Sequence, residues 1–314
     1  MRIGTNSYTD TMIAQFNLLK TQQVKLQNEV STGLSVQAPS DNPVAMGTTL
    51  DDLSSQAAQQ QFSSNISTVQ SKADSIYSVL QSLQTISNRV GEIATSAGSA
   101  TNSQTSLNNY ASEVTSLIQQ AAQLANAKDP ATGQYLFGGT DSGQPPFTVT
   151  TNANGNVSSV TYSGNASVNQ TEIASGVTVS VDVPGANTTG SGAQGLITDS
   201  RTGADLFNHL ISLQNNLLSG NTSAISGTDT ANLQKDENNL TYQVADNGNV
   251  QTRLSIASSF ATSQSNSLTG LISNASSADL ATTMTQLTQA QTAYQAALQS
   301  SAAIMQLSIL NFLP

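Results

Sequence analysis

The stretch from Asp279 to Pro314 constrains the fold most strongly, because it carries a long apolar stripe and no charge after its first residue. Its large apolar residues recur in alternating steps of four and three, the a/d pattern of a coiled coil. A solvated helix normally keeps Lys and Glu on its outer face. We therefore expect other protein to surround this helix, with an ordinary core helix of a globular domain as the alternative. The stripe comprises Leu280, Met284, Leu287, Tyr294, Leu298, Met305 and Phe312.

A second stripe with the same spacing lies near the start of the chain and ends at Gly33, a residue that favours a helix C-terminus. A rigid, non-helical link follows, in which Asn42 suits a helix N-cap and Pro43 suits the first helical position. The two stripes lie at opposite ends of the sequence and each needs a partner, so we expect them to pair with each other. The first stripe comprises Met12, Phe16, Leu19, Leu26 and Val30.

The residues between these ends predict further helices. Helical periodicity runs from residue 43 to about 98, from about 105 to 128, from 205 to 217, and from about 228 to 274, with a loop at 219–228. A helix over residues 43–98 is roughly 80 Å long at 1.5 Å per residue, far longer than a usual globular helix. The predicted inner faces are Leu50, Leu53, Ala57, Val69, Ala73, Ile76, Leu80, Leu83, Val90 and Ala97; Leu107, Val114, Leu117, Ile118, Ala121 and Leu124; Leu206, Leu210, Leu213 and Leu217; and Leu233, Leu240, Val244, Leu254 and Ala261.

The pattern changes to period 2 between these helices. We expect a short strand at 135–140, strands at 157–162 and 177–183, and turns at Asn154-Gly155, Gly164-Asn165 and Pro184-Gly185. The fold class is therefore mainly α with a β-rich insertion: a long coiled-coil-like helical rod formed by the N- and C-terminal segments, with a small β domain at its tip. The expected domains are 1–42 (N-terminal helix and linker), 43–140 (first half of the rod), 141–200 (β-rich), 201–277 (second half of the rod) and 278–314 (C-terminal helix).

Composition excludes several classes of function. Charged residues make up only 9% of the 314 residues, against about 25% in typical soluble domains. The formal net charge is −10 and no basic run is present, which argues against nucleic-acid binding. The chain has no cysteine, so disulfides and thiolate metal sites are excluded. We expect no membrane insertion and no cleaved signal peptide, because the sequence has neither an 18-residue apolar run nor a basic start with an apolar core.

No catalytic, cofactor or metal site is expected. The one histidine, His209, lies in a helical stretch, where a packed or partly exposed structural role is favoured, and no second imidazole exists for a metal site. The adjacent acids Asp51-Asp52 and Asp236-Glu237 diverge on helices, so we interpret them as solvated surface. No Gly-rich phosphate loop opens a helix after a strand.

Three segments resemble the hook–filament junction proteins (hook-associated protein 3 type) of the bacterial flagellin superfamily. Ser31-Thr32-Gly33 followed by Pro39-Ser40-Asp41-Asn42-Pro43 resembles the end of their N-terminal helix, Tyr135–Thr140 resembles their Tyr-Leu-Phe segment, and Gln289–Gln295 with Ile304–Leu313 resembles their last helix. Flagellins themselves usually lack prolines in the first of these segments. The resemblance covers both ends and the intervening helices, whereas the β-rich region is similar only in position and texture.

The resemblance implies a structural, extracellular protein of the bacterial flagellum that passes unfolded through the type III export channel. It implies assembly through the terminal helices into a ring of like subunits, between the hook-side junction protein (hook-associated protein 1) and flagellin. It also implies that the terminal helices form the inner tube of the assembly and that the rod domain forms the next shell. Termini that fold only on binding delay premature assembly. The assembly interface is then the two stripes given above.

An export chaperone is a further implied partner, binding near the C-terminus by a helix-in-groove mode. Flagellin itself is the nearest alternative identity, and a non-flagellar coiled-coil scaffold is less favoured because e/g charges are scarce. A membrane-surface helix is disfavoured because its polar face lacks Lys and Arg. The candidate chaperone-binding residues are Leu298, Ile304, Met305, Leu307, Leu310, Phe312 and Leu313.

Overall fold

The computed structural model describes the backbone of residues 5–310 and the side chains of residues 10–303. Its helices are α1 Thr5–Thr32, α2 Pro43–Ala97, α3 Gln104–Ala125, α4 Leu206–Ser219, α5 Thr222–Ala224, α6 Thr230–Ser276 and α7 Leu280–Leu310. Its strands are β1 Phe147–Thr151, β2 Val157–Tyr162, β3 Thr171–Ala174, β4 Val177–Val179, β5 Ala186–Asn187, β6 Thr198–Asp199 and β7 Ala204–Asp205. The predicted mainly α fold with a β-rich insertion is therefore confirmed.

The chain divides into two compact units. One comprises residues 1–59 and 263–314, and is called the terminal unit below; the other comprises residues 60–262, and is called the central unit. The division into five segments drawn from the sequence stays a prediction.

Local chemistry explains where the long helices begin and end. Gly33 follows α1 with a φ of 71°, and its N–H donates to the Glu29 carbonyl at 2.8 Å. A left-handed backbone of this kind favours glycine and ends a helix without strain. Asn42 caps α2, since its Oδ1 accepts the N–H of Ala45 at 3.1 Å. Both predicted helix ends are therefore confirmed, and α2 runs without interruption over 55 residues.

The core of the central unit is built by α2, α3, α4 and α6 together with β1 and β2. A smaller cluster joins α2 and α6 to the β3–β4 hairpin through Ile173 and Val179. Most of the predicted inner faces are confirmed, because their residues are buried as expected. The confirmed buried residues are Val69, Ala73, Ile76, Leu80, Leu83, Val90, Ala97, Leu107, Val114, Ile118, Ala121, Leu206, Leu210, Leu213, Leu217, Leu233, Leu240, Leu254 and Ala261.

Leu50, Leu53 and Ala57, in the part of α2 that belongs to the terminal unit, are exposed, Leu50 by 56% and Leu53 by 44%. The prediction that they lie on the inner face is wrong. Thr49 is buried instead, and Gln56 is half-buried with its Nε2 2.7 Å from Thr269 Oγ1 of α6. The inward stripe of α2 is polar in this segment, which hydropathy spacing alone does not identify.

The strands form three small sheets. β1 and β2 are antiparallel, with Phe147 opposite Tyr162 and a bulge at Thr150/Thr151, and β3 and β4 are also antiparallel. β6 lies between β5, which is parallel to it, and β7, which is antiparallel. The β1–β2 connection turns at residues 152–156, where Gly155 has a φ of 82°, so the predicted Asn154-Gly155 turn is confirmed.

Three local predictions differ from the structure. Residues 135–140 do not form a strand; Tyr135 makes an isolated bridge with Lys128, and turns follow. Strand β4 ends at Val179, although Val181 and Val183 remain buried. The segment 219–228 is not a loop but contains α5 and the start of a π-helical turn over Ile225–Asp229. In each case the backbone polar groups form hydrogen bonds outside a regular strand ladder, and side chains of the segment are buried. The segment therefore forms neither the expected strand nor a flexible loop.

Gln214 of α4 offers a test of how polar residues hold this core together. Its side chain is fully buried; Nε2 donates to the Val157 carbonyl at 2.9 Å, and Oε1 accepts the Thr115 hydroxyl at 2.8 Å and the Val157 N–H at 3.3 Å.

We expect Gln214→Met to destabilise the protein by about 2–4 kcal/mol, because each buried polar group left without a partner costs roughly 1–3 kcal/mol. Gln119→Met is the matched control, since Gln119 is an exposed residue of α3. Urea unfolding followed by circular dichroism and tyrosine fluorescence measures both variants. Equal unfolding midpoints for the two variants would contradict the structural role assigned to Gln214.

Candidate functional site

The candidate site is the pair of helices α1 and α7, which pack against each other within the terminal unit. The Phe16 and Tyr294 rings meet edge to face, with centroids 5.8 Å apart and an interplanar angle of 79°. Such an aromatic pair contributes about 0.5–1.5 kcal/mol beyond the area that it buries. The expected pairing of the two ends of the sequence is present in the structure.

The inward residues of α1 are those that the sequence stripe contains. Leu26 is buried, with 5% exposure, while Met12, Phe16, Leu19 and Val30 are half-buried.

The inward face of α7 differs from the sequence stripe by about one residue. Leu287 and Tyr294 are half-buried, as expected, but Leu280, Met284 and Leu298 are exposed by 48%, 57% and 46%. The prediction that these three pack against α1 of the same chain is wrong. Small residues allow the helices to approach there instead. The buried or half-buried face of α7 is Thr283, Leu287, Ala290, Tyr294, Ala297 and Ser301.

Several predicted site residues lie outside the described side chains. These are Ile304, Met305, Leu307, Leu310, Phe312 and Leu313, so of the chaperone-binding candidates the described part of the structure places only Leu298.

The link that follows α1 and the link that precedes α7 lie next to each other within the terminal unit. Leu34 and Ser277 form an antiparallel bridge, and the Ala278 N–H donates to the Gly33 carbonyl at 2.8 Å. The Ser35 N–H donates to the Ser276 carbonyl at 2.7 Å. These bonds join residues from opposite ends of the sequence and set the register of the α1–α7 pair.

One carboxylate organises the link between α1 and α2. Asp41 Oδ1 lies 3.0 Å from Lys25 Nζ, and Asp41 Oδ2 accepts the backbone N–H groups of Gln37 and Ala38 at 3.1 and 3.0 Å. The hydrogen bond from Lys25, followed by those two N–H groups, lowers the pKa of Asp41 below its ordinary value. The same hydrogen bond raises the pKa of Lys25. The surface location limits what the ion pair contributes to stability, so its main effect is on the shape of the link.

Asp279 has the same role at the start of α7. Its carboxylate accepts the Thr282 hydroxyl at 2.7 Å and the Ala281 N–H at 3.1 Å, and these bonds lower its pKa. A negative charge at a helix N-terminus also complements the helix dipole. After this residue the sequence of α7 carries no charge at all.

Both helices leave large apolar side chains uncovered beside their contact. On α1, Ile13, Leu18 and Val24 are exposed by 53%, 69% and 48%. On α7 the exposed residues are Leu280, Met284 and Leu298, as given above. Large exposed apolar surfaces mark protein–protein contacts more often than isolated exposed residues do. The arrangement suits association with other protein surfaces.

Half-buried His209 and buried Asp236 form a pair in the central unit that sequence analysis missed. His209 Nδ1 lies 2.8 Å from Asp236 Oδ2, and Asp236 Oδ1 accepts the Asp205 N–H at 2.8 Å. Asp236 is 1% exposed, so its interpretation as solvated surface is wrong. Burial raises the pKa of Asp236, against the opposing effect of the His209 hydrogen bond. Among the side chains of residues 10–303, no hydroxyl group hydrogen-bonds to His209 or Asp236. We therefore interpret the His209–Asp236 pair as a structural contact between α4 and α6.

Within the part of the chain that the structure describes, no cluster of three or more His, Asp or Glu side chains could hold a metal ion. Likewise, no helix in the described range is long and apolar enough to cross a membrane.

Comparison with known proteins finds a family match in the N-terminal part of the chain. Residues 3–142 match the family model of the bacterial flagellin N-terminal helical region. The chain is 27% identical over 147 residues to flagellar hook-associated protein 3 of Salmonella typhimurium, and this match covers 47% of the chain and 46% of that relative. The chain thus spans less than half the length of the curated relative that it matches.

Solved structures share the fold over a larger part of the chain. A Xanthomonas campestris FlgL structure matches with a TM-score of 0.56 and 21% identity, covering 69% of this chain and 98% of its own. The flagellar junction protein FlgL of Legionella pneumophila matches with a TM-score of 0.57 and 14% identity, covering 73% and 100%. Bacillus cereus FlgL matches with a TM-score of 0.56 and 16% identity, covering 71% and 99%. The resemblance to hook–filament junction proteins that the sequence indicated is confirmed, and so is the predicted fold class.

The pKa of Asp41 generates a prediction about pH. A lowered folded-state pKa means that the link is stabilised above the ordinary value of 3.8, and that this contribution is lost as the pH falls through the lower, folded-state pKa. NMR titration should therefore show the Gln37 and Ala38 amide shifts moving together with a midpoint below 3.8. The Asp41→Asn variant, which cannot titrate, should show neither transition. A shared midpoint at or above 3.8 would contradict the hydrogen bonding of the Asp41 carboxylate to these two amides.

Proposed function

We propose that this chain is a structural protein of the bacterial flagellum, because residues 3–142 match the N-terminal helical region of bacterial flagellins. In this proposal it forms the junction between hook and filament and acts as an adaptor on which flagellin polymerises. The similarity to hook-associated protein 3 of Salmonella typhimurium supports the junction rather than the filament.

The observation that carries an assembly function is the uncovered apolar surface of the α1–α7 pair. Six large side chains on two neighbouring helices are exposed by between 46% and 69%. Since α7 has no charged residue to solubilise its outer face, burial against neighbouring subunits is the favourable state for these residues. The proposed interface comprises the two predicted stripes, including Met305 and Phe312, together with the exposed side chains of Ile13, Leu18 and Val24 that flank the α1 stripe.

The proposed domains follow from this assignment of assembly to the terminal helices. Residues 1–42 and 278–314 form the inner-tube domain, residues 43–140 and 201–277 form the helical rod domain, and residues 141–200 form the outer β-rich domain. Assembly is assigned to the first of these.

The proposed partners are like subunits in a ring, hook-associated protein 1 on the hook side, flagellin on the filament side, and an export chaperone in the cytoplasm. The chaperone binds the apolar C-terminal residues, from Leu298 to Leu313, in a helix-in-groove mode. Export uses the flagellar type III system, and the role of the protein is structural rather than enzymatic.

The position of the protein in the flagellum distinguishes a junction protein from flagellin itself. We expect immunogold labelling of intact flagella to give one band where filament meets hook. Deleting the gene should leave hooks without filaments and release flagellin into the medium. Label along the full length of the filament would identify the filament subunit instead, and absence of label from the flagellum would overturn both assignments.

Two substitutions test the role of the terminal helices. We expect Leu298→Asp to abolish incorporation and motility, because a buried, unpaired charge in the assembly costs several kcal/mol. The same change should leave the isolated chain as stable as wild type, since Leu298 is 46% exposed there. Leu287→Asp should abolish incorporation and also weaken the α1–α7 pair, because Leu287 is half-buried against α1.

Gln299→Asp is the matched control, with the same new charge at the adjacent exposed position. Motility assays and immunoblots of sheared flagella measure incorporation, while circular dichroism measures the monomer. Motile cells carrying either Leu variant would show that these residues are not part of the interface.

A further inference from the structure

A cavity of about 530 Å³ lies within the central unit, where β1, β2 and β5–β7 meet the start of α4. Small-molecule sites in proteins usually have volumes of roughly 300–1,000 Å³. None of the described residues of the proposed assembly interface lines this cavity. The ligand that the cavity can hold is therefore a separate question from assembly.

Three aromatic side chains, those of Phe147, Tyr162 and Phe207, contribute to the lining of the cavity. The Phe147 ring centroid lies 5.0 Å from that of Tyr162 and 5.4 Å from that of Phe207. The Tyr162 hydroxyl donates to the Asn165 carbonyl at 2.9 Å and accepts the Gly185 N–H at 3.2 Å, which fixes the half-buried ring in place. Because the faces of aromatic rings are electron-rich, such a cluster favours a ligand that is cationic and partly apolar.

Among the described residues that line the cavity, Asp205 supplies the only carboxylate, and none is Lys, Arg or His. The carboxylate accepts hydrogen bonds from two neutral groups, the Thr198 hydroxyl at 3.1 Å and Asn208 Nδ2 at 2.7 Å. Among the side chains of residues 10–303, no Lys, Arg or His lies within ion-pair distance of it. A carboxylate has about four acceptor positions, so about two of them stay free for a ligand.

A second carboxylate holds the backbone of Asp205 in position. The Asp205 N–H donates to Asp236 Oδ1 at 2.8 Å, and Asp236 Oδ2 in turn lies 2.8 Å from His209 Nδ1. Burial is the main cause that raises the pKa of Asp236, and the negative charge of Asp205 acts in the same direction. The two carboxylates therefore interact, and a cation beside Asp205 would reduce the repulsion between them.

The charge of the cavity distinguishes between classes of ligand. An anionic ligand would be repelled by Asp205 and would meet no basic side chain among the described lining residues. A neutral ligand would leave the half-buried carboxylate without a counter-ion. An ammonium group supplies that counter-ion, and it offers three N–H donors and no acceptor, which matches the free acceptor positions of Asp205.

We propose that this cavity binds a primary alkylammonium group, with the ammonium hydrogen-bonded to Asp205 and the alkyl chain against Val160, Tyr162 and Ala166. These three lining residues are half-buried, so they can contact a ligand. Free organic amines and lysine side chains both carry this group, and the cavity recognises the chemistry that they share. The inference is independent of the proposed function, because it concerns the central unit and not the terminal helices.

NMR titration of the isotope-labelled full chain tests the selection by charge. The probes n-butylammonium, n-butanol and pentanoate carry the same butyl chain with a positive, a neutral and a negative end. We expect n-butylammonium to shift the amide signals of the residues that line the cavity, with saturation in the millimolar range. Binding of n-butanol should be weaker by about tenfold or more, because hydrogen bonds to charged groups are stronger than neutral ones. Pentanoate should give no saturable shift.

Asp205→Asn removes the charge and should weaken the binding of n-butylammonium by about tenfold or more. Asp74→Asn is the matched control, since it removes the same charge from an exposed position of α2 that does not line the cavity. Ala166→Leu occupies part of the cavity and leaves the carboxylate unchanged, so it should weaken binding as well. Circular dichroism checks the fold of each variant, and the comparison of the three probes on the wild-type chain needs no variant.

A fourth probe, Nα-acetyl-lysine methylamide, distinguishes the two sources of the ammonium group. Binding as tight as that of n-butylammonium indicates a lysine side chain of another protein, whereas weaker binding indicates a free amine. Both results agree with the proposal, because the ammonium group is the same in the two probes.

Three results would overturn the proposal. These are equal affinities of the wild-type chain for n-butylammonium and n-butanol, equal affinities of the Asp205→Asn and Asp74→Asn chains for n-butylammonium, and absence of a saturable shift at the cavity. None of them bears on the junction function, which the location of the protein in the flagellum tests separately.

Discussion

The contact between α1 and α7 is the interaction on which the terminal unit depends, because it joins residues from the two ends of the sequence. It consists of a single narrow seam whose best-defined elements are Leu26 and the Phe16–Tyr294 ring pair. On α7 much of that seam is made of Ala, Ser and Thr residues, which permit close approach but bury little apolar area. A pair held by one seam leaves its flanks open, and here those flanks carry Leu, Ile, Val and Met side chains. The incomplete burial of this unit is what makes a partner surface necessary.

The central unit meets a different constraint, since it must bury many polar side chains in a chain with few charges. Asn239 donates to the carbonyls of Gly195 and Leu196 at 3.0 and 2.8 Å, and Asp199 accepts the Gly195 N–H at 2.9 Å. Asp229 accepts from Ser212 and Asn216 at 2.8 and 2.7 Å. Buried polar groups that find all their partners specify one arrangement of the backbone. These bonds order the segments between short strands, where few ladder hydrogen bonds exist.

Helix positions could be predicted from the sequence because periodicity and capping are local. The ends of α1 and α2 depend on Gly33, Asn42 and Pro43, each of which acts within one turn of its own position. The prediction of a strand at 135–140 was wrong because strand formation depends on a neighbouring strand, which is not local. The Leu136 N–H instead donates to the Ala127 carbonyl at 3.0 Å. The surface role expected for Asp236 failed because its partner, His209, is distant in sequence.

The sequence by itself determined that the two ends carry matching helical stripes, that α7 is uncharged, and that the protein resembles flagellar junction proteins. Only the tertiary structure decided which face of α7 turns inward. Moving from Met284 to Thr283 rotates the direction of the side chain by about 100° around a helix with 3.6 residues per turn. Heptad spacing describes both stripes nearly equally well. Close packing against α1 selects the stripe with small residues at the contact, and this choice leaves Leu280, Met284 and Leu298 exposed to a partner.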